Sequence, residues 1–202
     1  MNTEVVFVGD VHGNLSALRG LWHALDMRGR SHAVFLGDYI NKGAHSAEVI
    51  QELLAYSQAG RATLLAGNHE TALLEALDTG DLSAFLKMGG AMTIRSYVGR
   101  RVAPEVLESF RASFPTEHLE AIRRMPDTYE SDDLIAQHVL PAASTPKFRI
   151  GAHVPVGKLP RIEHHSAQLD TGCGGKSGRL TALFWPSLDY VQVDARGIVV
   201  LH

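Results

Sequence analysis

Apolar runs of strand length alternate with stretches of helical period along the first third of the chain. Thr3 to Val8, Ala33 to Leu36 and Ala62 to Leu65 are short and rich in Val, Leu or Phe, and each soon reaches a glycine followed by a polar residue. Between them, Leu15, Leu18, Leu21, Trp22 and Leu25 recur at helical spacing, as do Val49, Ile50, Leu53 and Leu54. Each stripe reads as the core-facing side of a helix. Asn14 and Ser46 stand where N-caps are expected. The strand–helix–strand–helix–strand order predicts an α/β fold with parallel strands and crossover helices.

The pattern turns helical from about His69 to Met125, with Pro104 and Pro115 placed to open short helices. Strand-like segments return after Asp133: Leu134 to Leu140, Phe148 to Gly151, Leu180 to Trp185, Tyr190 to Val193 and Ile198 to Leu201. No repeat or linker interrupts them. Residues 1–202 are therefore expected to form one domain, which their number allows.

Bulk properties remove several functions without choosing one. A 45% apolar and 20% charged chain has an ordinary globular composition. The net charge of -3 argues against a nucleic-acid or anionic-membrane partner, though not against a local phosphate pocket. No apolar stretch approaches the ~20 residues of a membrane-spanning helix. MNTEVVFVGD reads as a first strand rather than a signal peptide, and the lone Cys173 suits a reducing compartment, so a cytoplasmic location is expected. Oligomeric state is left open.

The chemistry lies at three strand ends. Gly9-Asp10-Val11-His12-Gly13-Asn14 follows the first, Gly37-Asp38 the second, and Gly67-Asn68-His69-Glu70 the third. Ligands of parallel α/β sheets collect beyond the carboxyl ends of the strands, so these loops should converge. His138 and His153 belong to the same cluster by residue type. Oxygen and imidazole donors without thiolate suit two divalent cations, manganese first, with iron or zinc also fitting. Asp10 and His12 would hold one, and Asn68, His138 and His153 the other. Asp38 would bridge them.

GDVHGN, GDYINKG and GNHE resemble the three signature motifs of the calcineurin-like metallophosphoesterases, and most closely the bacterial phosphoprotein phosphatase branch. MGGAMTIRSYVG and LDTGCGGKSGRLTAL resemble the same branch, so the likeness spans nearly the whole chain. It implies two mixed β-sheets in a sandwich flanked by helices, with a dinuclear metal centre at one sheet edge. It also implies hydrolysis of phosphate monoesters, as in Ser/Thr protein phosphatases, by in-line attack of a metal-bridging hydroxide on a phosphorylated protein or small molecule. His69 would be the general acid, and Glu70 a structural hydrogen-bonding partner.

The chain departs from the family where Asn41-Lys42 replaces the usual Asp-Arg and Ala66 replaces an arginine. Asn41 can accept a hydrogen bond from the catalytic histidine but brings no charge to support an imidazolium. Lys42 offers phosphate a point charge instead of a bidentate fork. Either the enzyme tolerates these changes, or its substrate has a leaving group of low pKa, as in dinucleoside polyphosphates and other phosphoanhydrides. A metal- and phosphate-binding regulator without turnover is a further alternative.

The interval from His138 to His153 is shorter than in relatives, which makes His138 the least secure ligand and predicts a more open site. Arg161, with Asn68 and Lys42, is a candidate substrate contact, whereas Arg95 reads as a surface charge. His164 and His165 would face opposite ways on a strand, both at the surface. CGGKSG imitates a phosphate loop but has Asp170 where the first glycine belongs and leads into a strand; Cys173 within it lacks a nucleophile's partner.

Overall fold

The computed structural model describes residues 4–29, 32–99 and 105–201. Strand β1 (Val5–Val8) is followed by α1 (Leu15–Arg28), β2 (His32–Phe35), α2 (Ser46–Gln58) and β3 (Ala62–Leu64). A helical stretch follows: α3 (Asn68–Thr79), α4 (Ser83–Lys87), α5 (Gly90–Val98), α6 (Val106–Ser113) and α7 (Thr116–Arg123). The remaining strands are β4 (Thr128–Glu130), β5 (Leu134–Gln137), β6 (Phe148–Gly151), β7 (Arg161–Glu163), β8 (Ser166–Gln168), β9 (Arg179–Trp185), β10 (Tyr190–Asp194) and β11 (Val199–Val200).

The strands form two mixed sheets. The first runs β11-β10-β9-β1-β2-β3, with β1, β2 and β3 parallel and β9, β10 and β11 joined antiparallel. The second runs β4-β5-β6-β8-β7, parallel in the centre and antiparallel at both edges.

The alternation along β1 shows why the sheets stack. Val6 and Val8 project into a core shared with Leu18, Leu21, Trp22, Ile50 and Leu53 of the helices. Phe7 projects the other way, into a second core with Val34, Leu36, Leu134, Ile150 and Leu183. A strand buried on both faces reads as an unbroken apolar run, as VVFV does and as AVF does after His32. One face of the first sheet thus carries helices and the other carries the second sheet. Among the described residues, no helix is long and apolar enough to cross a membrane.

Several local expectations hold. The Asn14 side chain accepts from Ala17 N at 3.0 Å and caps α1, and Pro115 stands at the N-cap of α7. Thr3 and Pro104 lie outside the described residues.

Others need correction. His45, not Ser46, is the N-cap of α2; Ser46 Oγ turns inward, accepting from Asn41 N at 3.2 Å and lying 3.0 Å from Thr93 Oγ1. The strand expected over Leu134–Leu140 stops at Gln137, so His138 stands just beyond β5, where Ala152 N donates to its carbonyl. His164 and His165 are exposed as expected, but in the β7–β8 turn, with their rings stacked 4.2 Å apart. The short, half-polar strands β4, β7 and β8 carry no periodicity that sequence reading could use.

Candidate metal centre

The loops after β1 and β2 are joined before any side chain contributes. Asp38 O accepts from Val11 N and His12 N at 3.1 and 2.9 Å, and Tyr39 O accepts from Gly13 N at 2.7 Å. The loop after β3 is tied in by Glu70. Its Oε2 accepts from Asp38 N at 2.8 Å and Gly67 N at 3.1 Å, and its Oε1 accepts from Tyr39 N at 2.9 Å. Burial and the Asp38 charge push this carboxyl up to about 7, while the backbone donors pull it down.

Asp38 stands at the middle of the cluster that results. Its Oδ1 lies 3.3 Å from His138 Nε2, and its Oδ2 lies 3.5 Å from His69 Nε2 and 3.8 Å from His12 Nε2. Burial opposes its charge, yet these imidazoles hold the carboxyl down at about 2. Asp10 Oδ2 is 3.4 Å from His12 Nε2, and Asp10 Oδ1 accepts from His153 N at 3.3 Å. On the other side of Asp38, Asn68 Oδ1 lies 2.8 Å from His138 Nε2 and 2.9 Å from His153 Nδ1.

These residues fit a pair of cations on their own geometry. Ile40 O receives a hydrogen bond from His12 Nδ1, and Leu36 O one from His138 Nδ1, each at 3.0 Å. In its neutral form each ring therefore turns an Nε2 lone pair inward, the usual backing of metal-ligating histidines. His138 Nε2 and His153 Nδ1 lie only 3.1 Å apart, and Asp10 Oδ2 is buried without a hydrogen-bond partner. Two triads sharing Asp38 are compact enough to hold an ion: His12, Asp38 and His69, and Asp38, His138 and His153. All six expected metal ligands thus meet in one place. His138, the least secure in sequence, is buried against Asp38 and Asn68.

The backbone is strained here. Six described residues other than glycine have positive φ, and five of them are His12, Asp38, Asn41, Lys42 and His153. Such strain persists where the surroundings over-determine it, and it clusters at functional sites.

The opposite wall is formed by Asn41 and His69. Asn41 Nδ2 meets His69 Nδ1 at 2.6 Å, while Thr93 Oγ1 donates to Asn41 Oδ1 at 2.7 Å. With its oxygen engaged by Thr93, the amide donates to the ring. This reverses the expectation that Asn41 would accept. Burial pushes His69 down to about 4. Ser46 and Thr93 thus have parts in the site that their residue types do not signal: Ser46 reads as a cap, and Thr93 stands in the MGGAMTIRSYVG stretch with no chemical role assigned.

Lys42 is exposed, with Nζ 2.5 Å from His12 Nε2. Arg161 is exposed at the start of β7, outside the cluster. It faces Gln168, which pairs with Gly151, so it lies at the site end of the second sheet, two strands or about 10 Å from Gly151. Arg95 is a surface residue. Cys173 is buried with its thiol pushed up to about 12, as befits a structural cysteine.

The calcineurin-like phosphoesterase family model matches residues 3–191, and the chain belongs to that family. Over 73 residues it is 37% identical to the serine/threonine-protein phosphatase 4 catalytic subunit of Eremothecium gossypii, covering 35% of this chain and 24% of that protein. Over 101 residues it is 33% identical to the zinc-dependent endopolyphosphatase of Saccharomyces cerevisiae, covering 46% and 28%. The chain thus spans about a quarter of the length of the curated relatives it matches. A crystal structure provisionally described as a diadenosine tetraphosphatase superposes with TM-score 0.70 over 96% of this chain and 94% of that one; at 19% identity this shows the shared fold.

Glu70→Gln puts an amide NH2 against backbone N–H groups and is expected to cost about 2–4 kcal/mol in urea unfolding, whereas a change under about 1 kcal/mol means the clamp is not structural. Metal affinity should also depend on pH. Burial disfavours a charge on His138, but Asp38 raises its pKa to about 9, so below that pH a cation must displace the proton. Manganese affinity is expected to rise from pH 6.5 to 8.5, by at most about tenfold per unit from this group. A flat calorimetric series contradicts His138 as a ligand.

Proposed function

We propose that this chain is a dinuclear-metal-dependent phosphoesterase whose preferred substrates release a stable anion. Aryl phosphates and phosphoanhydrides, including nucleotide polyphosphates, come ahead of alkyl phosphomonoesters such as phosphoserine. The observation that carries this reading is the donated hydrogen bond from Asn41 to His69. It leaves the ring proton on Nε2, beside Asp38 Oδ2. With its pKa near 4, the ring is neutral at pH 7. A neutral imidazole N–H can hydrogen-bond a departing oxygen but is a very poor source of a whole proton. An alkoxide needs that proton; a phenolate or phosphate does not.

The other residues take the parts their places allow. Asp10 and His12 hold one cation and Asn68, His138 and His153 the other, with Asp38 common to both. Manganese is the first expectation, ahead of iron or zinc. When bound, such a pair supplies Lewis acidity and a water activated at neutral pH for in-line displacement. Lys42 neutralises phosphoryl oxygen charge near His12, and Arg161 reaches in from the second sheet. Support also comes from the relatives: one is described as an endopolyphosphatase and one solved neighbour as a diadenosine tetraphosphatase, while the phosphatase 4 likeness keeps monoesters in range. Residues 1–202 act as one domain, and the buried, unpaired Cys173 accords with the cytoplasm.

The test is hydrolysis of p-nitrophenyl phosphate by protein stripped of metal and then reloaded with manganese. Metal-dependent release that Asp38→Ala abolishes is the expected result; bound metal without turnover leaves a binding protein. Asn41→Asp is expected to raise kcat/KM for glycerol phosphate at least about tenfold relative to the aryl ester, by supporting an imidazolium at His69. An unchanged ratio means that Asn41 does not set leaving-group preference.

A further inference from the structure

A second polar cavity lies beside the metal centre. It has a volume of about 470 Å³ and is lined by Lys158, Lys176, Arg179 and Arg196, with Asp194 as its carboxylate. Arg196 engages that carboxylate at 2.9 Å, and Arg179 Nη1 donates to Gln192 Oε1 at 3.0 Å. Lys158 and Lys176 are exposed, and neither has an ion-pair partner among the described residues. Such a concentration of cations is local, because the chain as a whole carries a net charge of -3.

Two walls of the cavity lead from the metal centre, and the β10–β11 turn with Asp194 and Arg196 closes a third side. One is the segment leaving His153, which is held by a bond from Val156 N to Asp170 O and reaches Lys158 within five residues, at most about 17 Å. Arg179 and Gln192 then fasten it through Lys158 O. The other wall is the glycine-rich loop after β8. Gly174 packs on His12 and Lys42 so closely that a Cβ there would lie 2.6 Å from His12 Cβ and 3.2 Å from Lys42 Cβ. Lys176 stands two residues further along this loop. Arg179 opens β9, which pairs antiparallel to β1 and so begins beside the Asp10 loop.

We propose that this cavity binds the distal phosphates of a linear polyphosphate chain, inorganic or carried by a nucleotide, while the reacting phosphate lies at the metal centre. The proposal rests on the reading of that centre as the place of hydrolysis, and adds the substrate class. A phosphomonoester has no further phosphate to place among these cations, whereas an anhydride-linked chain extends its charge along them. Lys158 and Lys176 would meet the chain as mobile point charges, which suits a flexible chain without fixed bidentate geometry. Contacts of this exposed kind weaken as salt rises.

The experiment titrates the full-length chain, stripped of metal so that the probe is neither cleaved nor sequestered, with inorganic tripolyphosphate at low salt. Lys158→Glu and Lys176→Glu are each expected to weaken binding at least about tenfold. Arg124→Glu, at the exposed C-cap of α7, makes the same change in net charge and is expected to leave binding unaltered. Equal affinities in all four proteins overturn the proposal. Should a reversed charge unfold the loop, as a melting curve shows, Lys176→Gln is expected to give a smaller loss of affinity; no loss overturns the proposal as well. Adenosine triphosphate separates the two sources. Parallel losses for both probes mean that the phosphates are recognised, and nucleotide binding that ignores every variant refutes the assignment. Failure to hydrolyse p-nitrophenyl phosphate would sink the catalytic reading while leaving this binding result intact.

Discussion

The arrangement of the centre depends on one buried carboxylate. Glu70 sits on the first turn of α3 and accepts from the backbone of Gly67, Asp38 and Tyr39. It joins the loops leaving β2 and β3 at the point where Asp38 must stand between two sets of imidazoles. Close approach is a condition of that joining. A Cβ on Gly67 would lie 2.3 Å from Asp38 N, and one on Gly37 would lie 2.7 Å from Gly67 N. Both glycines end the motifs' apolar runs for this reason, and Gly37 also has φ 107°. The opening pattern of strand, glycine, acid is therefore a statement about how closely two loops pass.

Much of the fold was legible because burial on both faces leaves a plain mark. β1 is apolar throughout, β2 and β9 are apolar over most of their length, and the stripe through Leu18, Leu21 and Leu25 belongs to α1. The convergence of Asp10, Asp38 and Asn68 followed from parallel order alone. Legibility ended where residue type and role part company. Ser46 looks like a cap, yet its hydroxyl serves Asn41 and Thr93. Whether Asn41 donates or accepts depends on Thr93, a residue far away in sequence whose type names no such role. Strands β4, β7 and β8 escaped because three residues, most of them polar, carry no period.

The strained backbone explains why these groups stay where they are. His12, Asp38, Asn41 and Lys42 adopt left-handed conformations that side chains disfavour. The bonds from Val11, His12 and Gly13 to the β2 loop, and from Gly43 N to His12 O at 2.9 Å, leave the chain no relaxed alternative. Imidazoles and carboxylates are thereby held nearer to one another than a free loop would allow. Orphaned Asp10 Oδ2 and the 3.1 Å approach of His138 to His153 are what such enforcement looks like before a cation satisfies it.

Two features far apart in sequence then bear on the same question, which is what becomes of the charge on the leaving group. An aspartate at position 41 would hold His69 as an imidazolium, able to neutralise an alkoxide by giving it a proton. In the proposed mechanism Asn41, fixed by Thr93, withholds that proton and the product leaves as an anion. An anion of that kind is stable only if its own chemistry or its surroundings spread the charge. A phosphate leaving group does the first. On the proposed reading, Lys158, Lys176, Arg179 and Arg196 supply the second. A weakened acid and a cationic exit are thus two parts of one electrostatic design, in which charge is received instead of cancelled.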